Sequence, residues 1–483
     1  MNKLLFVPLV AALLPGIGCT LAPRYSRPAA PVPASWPGDA RPLTNAPAAQ
    51  DLSWPAFFPD PHLRQVISLA LTNSRDLRLA VLNAQEARAL YGIQRAELLP
   101  AINGSADLLR ERLPADLSST GQRITTSEYD VNLGAASWEI DFFGRIRSLK
   151  NEALQQYFAS EQARRGAQIL LVSSVAQTYL TLAADRENLQ IAETTLDTQR
   201  KSFALVRHRH ELGLVPDLDL YRAKTPVDSA RRDVAAFRQA VAQDQNALNL
   251  LAGLPVPDAW LPTNLEAVLP PHEIAAGLSS SVLLTRPDVL QAEAQLKAAN
   301  ADIGAARAAF FPRISLTAAI GTASSDLSGL FKAGQGAWSY APQVVLPIFD
   351  ARTWSAHRAS QVQRDVAVAQ YERAVQSAFR DVADALAARA NLGQQLAAQQ
   401  SLVQATAETY RLANSRYEKG IDSYLSVLDG QRSLFAAQQA LVSLQLAAQA
   451  NQVRLYAALG GGSPAEFTPA YAFRSSSGLK SPD

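Results

Sequence analysis

Two periods govern this chain. Long stretches keep an apolar residue at every seventh position, and four short stretches keep one at every second. Val427, Leu434, Leu441, Ala448 and Leu455 hold the seven-residue spacing, the pattern of a helix that winds against a partner. The same spacing occurs 207 positions earlier in Leu220, Val227, Val234, Val241 and Leu248. Gly420 precedes one series and Gly213 the other, with Arg416 and Arg209 at matching places before them. Each glycine is a natural stop for the helix that leads into it. A chain that writes the same helical hairpin twice is built of two copies of one unit.

Taken in order, His62–Leu99 reads as a helix that ends before Pro100. Ile102, Gly104, Ala106 and Leu108 then alternate with Asn103, Ser105 and Asp107, the mark of a strand with two unlike faces. A polar loop follows, and Tyr129, Val131, Leu133 and Ala135 alternate again. From Leu149 to Leu212 there are sixty-four residues with no proline and one glycine, Gly166. As helix they span ~95 Å, with Val175, Leu182, Leu189, Leu196 and Phe203 on the heptad. The partner helix runs to Leu251, and the proline-rich segment Ala252–Leu284 is a connector.

The second half repeats the plan. Arg286–Phe311 is helical and ends before Pro312. Ile314, Leu316, Ala318 and Ile320 alternate with small and polar residues, as do Trp338, Tyr340, Val344 and Leu346. Trp354–Lys419 is the second long helix, its heptad of Val382, Leu396, Val403, Tyr410 and Tyr417 interrupted by Arg389. The expected organisation is a signal peptide (1–18), an N-terminal tether (19–60), a first repeat (61–252), a connector (253–284), a second repeat (285–460) and a tail (461–483). Strands are expected near 101–112, 128–140, 313–325 and 337–347.

Composition narrows the class. Hydrophobic residues make up 48% and charged residues 18% of the chain, and the net charge is +2, without a basic block. Nucleic-acid binding has no support. Residues 1–19 carry Lys3, an apolar run and small residues before Cys19, which is a secretory signal. Gly16-Ile17-Gly18-Cys19 resembles a lipobox, although Gly16 stands where leucine is usual. Cys19 is therefore the expected lipidation site, and acyl chains there would anchor the mature chain. Seven prolines in residues 20–50 read as an extended tether. The uncharged runs Gly166–Ala184 and Ser433–Val453 carry serine, threonine or glutamine and read as too polar to cross a membrane as helices.

Strands of about ten residues with one apolar and one polar face are what a membrane β-barrel uses. Four such strands are too few to close a barrel, and open edges cannot face lipid. If the strands lie in a membrane, the chain must oligomerise.

Three long motifs carry a family resemblance across nearly the whole mature chain. They are WEIDFFGRIR (Trp138–Arg147), TRPDVLQAEAQLKAANADIGAARAAFFPRISL (Thr285–Leu316) and RYEKGIDSYLSVLDGQRSLFAAQQAL (Arg416–Leu441). The chain resembles the outer-membrane factor family of bacterial efflux systems, most of all its lipoprotein branch. The resemblance implies a mainly α protein with a membrane β-barrel. It further implies a homotrimer, with a twelve-stranded outer-membrane barrel above a long periplasmic α-barrel. It implies partners: a periplasmic adaptor (membrane fusion protein), an inner-membrane pump of the resistance–nodulation–division type, and outer-membrane lipid. It implies no enzymatic activity and no cofactor beyond diacylglycerol and N-acyl chains on Cys19. The expected function is an exit duct for drugs or other small molecules, with protein secretion or a soluble coiled-coil protein as alternatives.

The family closes such ducts at the turns between long and partner helices. Its ring of lumenal carboxylates matches Asp429, and a second acidic position is Ser426 here, so one ring is expected. The family's tyrosine at the end of the long helix matches Tyr417. Asp422 and Glu418 stand where relatives carry arginine. Independently of the resemblance, carboxylates converging on one axis attract cations. Arg416, Arg209, Asp217, Asp219 and Arg222 lie near enough in the pattern to pair across the turns. His208 and His210 have a metal-like spacing but read as solvated helix positions.

Overall fold

The computed structural model describes residues 20–37, 52–275 and 279–461. Cys19, the signal segment and nearly all of the tail lie outside the described residues. The described residues fold as two compact units: one within 20–29, 83–161 and 291–372, the other within 30–37, 52–82, 162–275, 279–290 and 373–461.

The helices are α1 (Trp54–Phe57), α2 (Pro61–Asn73), α3 (Arg75–Ala96), α4 (Arg145–Glu211), α5 (Asp217–Ala252), α6 (Pro287–Ala308), α7 (Ala351–Glu418) and α8 (Tyr424–Ala458). The strands are β1 (Ile102–Leu113), β2 (Ile124–Glu139), β3 (Arg313–Ser324) and β4 (Gly336–Val345).

The first unit holds one antiparallel sheet in the order β1-β2-β3-β4. Its register explains the alternation. Ile102, Gly104, Ala106 and Leu108 lie opposite Ala135, Leu133, Val131 and Tyr129. Leu133 and Ala135 in turn lie opposite Ile320 and Ala318, and those two opposite Trp338 and Tyr340. Residues that pair across antiparallel strands share a face, so the four apolar series form one continuous apolar face. Between Ala135 and Trp138 the register slips. Ser137 takes φ 53° there and its N–H donates to Thr317 Oγ1 at 3.0 Å. This bulge re-aims the end of β2. β2 starts at Ile124, earlier than the alternation suggests, because Thr125, Thr126 and Ser127 pair with the charged Arg112, Glu111 and Arg110. Both faces of that strand end are polar, so no period shows. Among the described residues, the outer edges of β1 and β4 have no partner strand.

The Pro-rich segment is more than a tether. In the first unit Thr20 Oγ1 lies 3.3 Å from Ser148 Oγ, Arg307 donates to the carbonyl of Leu21, and Asn300 donates to that of Pro23. Arg27 and Tyr25 both reach Glu293. In the second unit Trp36 is buried and stacks on Phe379, ring centroids 4.8 Å apart. Proline content hides these anchors, because each depends on a residue far away in sequence.

In the second unit the heptads meet as a coiled-coil pattern should. Ala192 and Leu196 of α4 pack with Val227, Ala230 and Val234 of α5, flanked by Leu189, Phe203, Phe237 and Phe435. By length and composition α4 has a stretch apolar enough to cross a membrane, and just over half of it is buried within the protein. Leu171, Val172, Val175, Tyr179, Leu180 and Leu182 are among its buried residues. Packing, more than polar content, accounts for that stretch. Arg389 breaks the second heptad because its guanidinium donates to the carbonyl of Ile274 at 2.8 Å, fastening the connector to α7.

Candidate functional site

The two hairpin turns lie in the second unit and are closed in the same way. Gly213 takes φ 74° and Gly420 φ 73°, values that a side chain disfavours. Gly213 N–H donates to His210 O and Leu214 N–H to Arg209 O. Gly420 N–H donates to Tyr417 O and Ile421 N–H to Arg416 O. Both are Schellman closures, which satisfy the last carbonyls of α4 and α7. The 207-residue correspondence therefore holds down to individual hydrogen bonds.

The turns meet through Arg209 and Tyr417. The guanidinium donates to the phenol oxygen at 3.2 Å and lies 5.5 Å from the ring centroid. One residue pair thus combines a hydrogen bond with a cation–π contact. Tyr417 also lies against Tyr424 at the start of α8, ring centroids 5.1 Å apart. Burial pushes the Tyr424 phenol up, and its hydroxyl sits beside Ser202 of α4.

Arg416 turns back on its own hairpin. Its Nε and Nη2 grip the two oxygens of Asp422 at 2.6 and 3.1 Å. This fork holds the Asp422 carboxyl below the usual carboxylate range. Glu418 accepts from Asn414 Nδ2 at 2.9 Å, a contact within one helix. Asp219 pairs with Arg222 at 3.6 Å, and Asp217 accepts from His210 Nε2 at 2.6 Å. Asp217 and Asp219 also lie in the first turn of α5, where the helix dipole favours negative charge.

Asp429 is exposed on α8. Its neighbour Gly430 is buried against α7: a Cβ there would meet Tyr410 Cα at 3.1 Å. Close approach of the helices at Gly430 fixes the face that Asp429 presents. Asp429 makes no ion pair among the described residues, so its charge is available to the solvent.

The structure therefore joins Arg209 to Tyr417 and Arg416 to Asp422, and keeps Asp217, Asp219 and Glu418 in local contacts. His210, Tyr424 and Gly430 belong to the same tip, although pattern reading did not select them. The His210 partner is seven residues away across the turn, a spacing that only the Schellman geometry brings together. Among the described residues, no group of three or more His, Cys, Asp and Glu side chains could hold a metal ion.

Comparison with known proteins gives a consistent result. The family profile described as outer membrane efflux protein matches residues 66–254 and 278–461. The toluene efflux pump outer membrane protein TtgC of Pseudomonas putida is 48% identical over 467 residues, covering 96% of each chain. The cation efflux system protein CusC of Escherichia coli is 44% identical over 451 residues, covering 92% of this chain and 96% of that one. A crystal structure of a membrane protein from Pseudomonas aeruginosa superposes with a TM-score of 0.86 at 42% identity, covering 92% of this chain and 98% of the other.

Proposed function

The chain belongs to the outer membrane efflux protein family, and from that premise we propose that it is the outer-membrane exit duct of a tripartite efflux pump. It is an outer-membrane protein and a channel, a role that asks for no catalytic group. Each chain supplies four strands, and three copies close a twelve-stranded barrel. The helical hairpins of the two repeats, 61–252 and 285–460, continue as the periplasmic part of the duct. Acyl chains on Cys19 hold it to the membrane. A periplasmic adaptor and an inner-membrane pump of the resistance–nodulation–division type deliver the cargo, and the duct conducts it passively. The relatives' names run from toluene to cations, which supports a duct whose cargo is selected elsewhere.

One observation carries this reading: a sheet with a continuous apolar face and two edges that no described residue pairs with. Exposed ladder groups in lipid cost several kcal/mol each, so β1 of one copy must meet β4 of the next. At the tip, contacts such as Arg209–Tyr417 hold the hairpins inward, and Asp429 supplies a ring of carboxylates on the conducting axis.

The test uses the full mature chain in detergent and then in planar bilayers. A trimeric mass together with discrete ion conductance is the expected outcome. A monomer that conducts nothing would overturn the reading.

A further inference from the structure

The end of the sheet away from the helices sorts its charges by sign. β1 and β2 pair from Ile102 opposite Ala135 to Leu113 opposite Ile124 without a slip. Side chains two apart on either strand therefore share a face throughout this stretch. The face of Ile102, Gly104, Ala106 and Leu108 continues into Arg110 and Arg112. Across the ladder from those two stand Ser127 and Thr125. Asp107, Glu111, Glu128 and Asp130 fall on the opposite face, since Asp107 pairs with Asp130, Leu109 with Glu128 and Glu111 with Thr126. Both bases thus point one way and all four acids the other. In β3 and β4 the only charge is Arg313, at the helix-side end.

This sorting parts the arginines from their natural partners. Arg110 and Arg112 are exposed, and among the described residues neither forms an ion pair. Arg123, just before β2 at the same end, is exposed and without an ion pair in the same sense. The face is apolar from Leu108 down to Ile102, roughly 20 Å along the strand, and Leu108 is 57% exposed. An arginine facing hydrocarbon is costly at mid-depth and tolerated near the surface. The apolar band therefore ends between Leu108 and Arg110.

A fitting ligand has the same two-part order, with anionic groups directly above acyl chains. Guanidiniums recognise phosphate by paired N–H donors, and basic clusters at a membrane surface select anionic headgroups. The other end of β1 and β2 joins α3 and α4, so in the outer-membrane duct proposed above the arginine end faces outward. The leaflet on that side is built of lipopolysaccharide, a glycolipid whose phosphates lie directly over its acyl chains. We propose that Arg110, Arg112 and Arg123 bind the phosphates of this lipid while its acyl chains lie on the apolar face beneath. Thr125 and Ser127 add hydroxyl donors alongside. The assignment rests on the sheet spanning the outer membrane. Pairing of β1 with a neighbouring strand uses backbone groups in the plane of the sheet and leaves this face open. The acidic face repels the same phosphates, so the lipid has one side on which to dock.

Native mass spectrometry of the full mature protein in detergent tests this, with diphosphoryl lipid A as the probe. The unmodified protein should bind it more tightly than dephosphorylated lipid A, by a factor on the order of 30. Arg110→Gln with Arg112→Gln should remove most of that preference, and Arg110→Lys with Arg112→Lys should keep it. Glu111→Gln with Glu128→Gln, on the opposite face, should leave it unchanged. Equal binding of the two lipid forms by the unmodified protein would overturn the proposal, whatever the variants do. Equal loss in the arginine-to-glutamine and glutamate-to-glutamine variants would overturn it too. Displacement of lipid A by millimolar inorganic phosphate would make this a site for free anions and would also overturn it. Conductance of the same sample separates the two readings. A conducting trimer without the preference rejects the lipid surface alone, and a non-conducting monomer rejects the duct and the surface with it.

Discussion

Arg27 lays Nε and Nη2 on the two carboxylate oxygens of Glu293, at 3.0 and 2.6 Å, across 266 positions of sequence. The Glu293 side chain is 4% exposed and that of Arg27 45%. Tyr25 donates to the same carboxylate at 3.0 Å, and Lys297 pairs with it at 3.0 Å. Burial alone would push this carboxyl up, but hydrogen bonds from Arg27, Lys297 and Tyr25 outweigh it and hold it below the ordinary range.

Arg27→Ala should therefore release the N-terminal strap. The expected cost is about 2 kcal/mol, less than for a fully buried pair because Arg27 is half exposed. Trypsin cleavage after Arg24 should accelerate and thermal unfolding should come several degrees earlier. Because the folded carboxyl is depressed, this contribution is present at neutral pH and lost only as pH falls through its lowered value. Unchanged cleavage would mean that the strap is held by its other contacts.

At the tip, two substitutions separate the parts of one contact. Tyr417→Phe keeps the ring beneath the Arg209 guanidinium and removes the 3.2 Å hydrogen bond. It should weaken closure by about 0.5–1 kcal/mol. Arg209→Ala removes both interactions and should weaken it by about 1–2 kcal/mol. Open probability in planar bilayers should rise a few-fold for the first and more for the second. Equal effects would assign the whole contact to the hydrogen bond.

Asp429→Asn removes the exposed charge while nearly preserving shape. Reversal potentials in a salt gradient should show a weaker cation preference, with the fold and assembly unchanged. An unaltered reversal potential would place Asp429 away from the conducting axis.

The Arg416–Asp422 fork makes a prediction about pH. Asp422 is held below the usual carboxylate range by its arginine, so the ion pair is present at neutral pH and is lost only as pH falls through that lowered value. Asp422→Asn should loosen the tip equally at pH 5 and pH 8. Conductance recorded at both values checks this. A different loosening at the two values would count against Asp422 staying charged throughout.

Much of the architecture is legible from position alone. The heptad series of α4 and that of α5 meet at one interface, as Leu196 and Val234 show. The alternating series fall on one face because strand pairing preserves parity, as Leu133 and Ile320 show. Gly213 and Gly420 announce their turns through a conformation that few residues accept. The remainder has no local period. Arg27 and Glu293 lie on segments far apart in sequence, and nothing near either one points to the other. Tyr424 and His210 join the tip only because the Schellman closures bend the chain back by a defined angle.

The unclaimed margins of the four-stranded sheet have a genetic consequence. In the proposed ring, a copy damaged along β1 would still offer a sound β4 to its neighbour, so it would be admitted and then break the seal. A minority of faulty polypeptides should thus silence a majority of intact ones when both are made in the same cell. Damage confined to a single margin would behave as a dominant trait, whereas damage to both would exclude the copy and spare its companions.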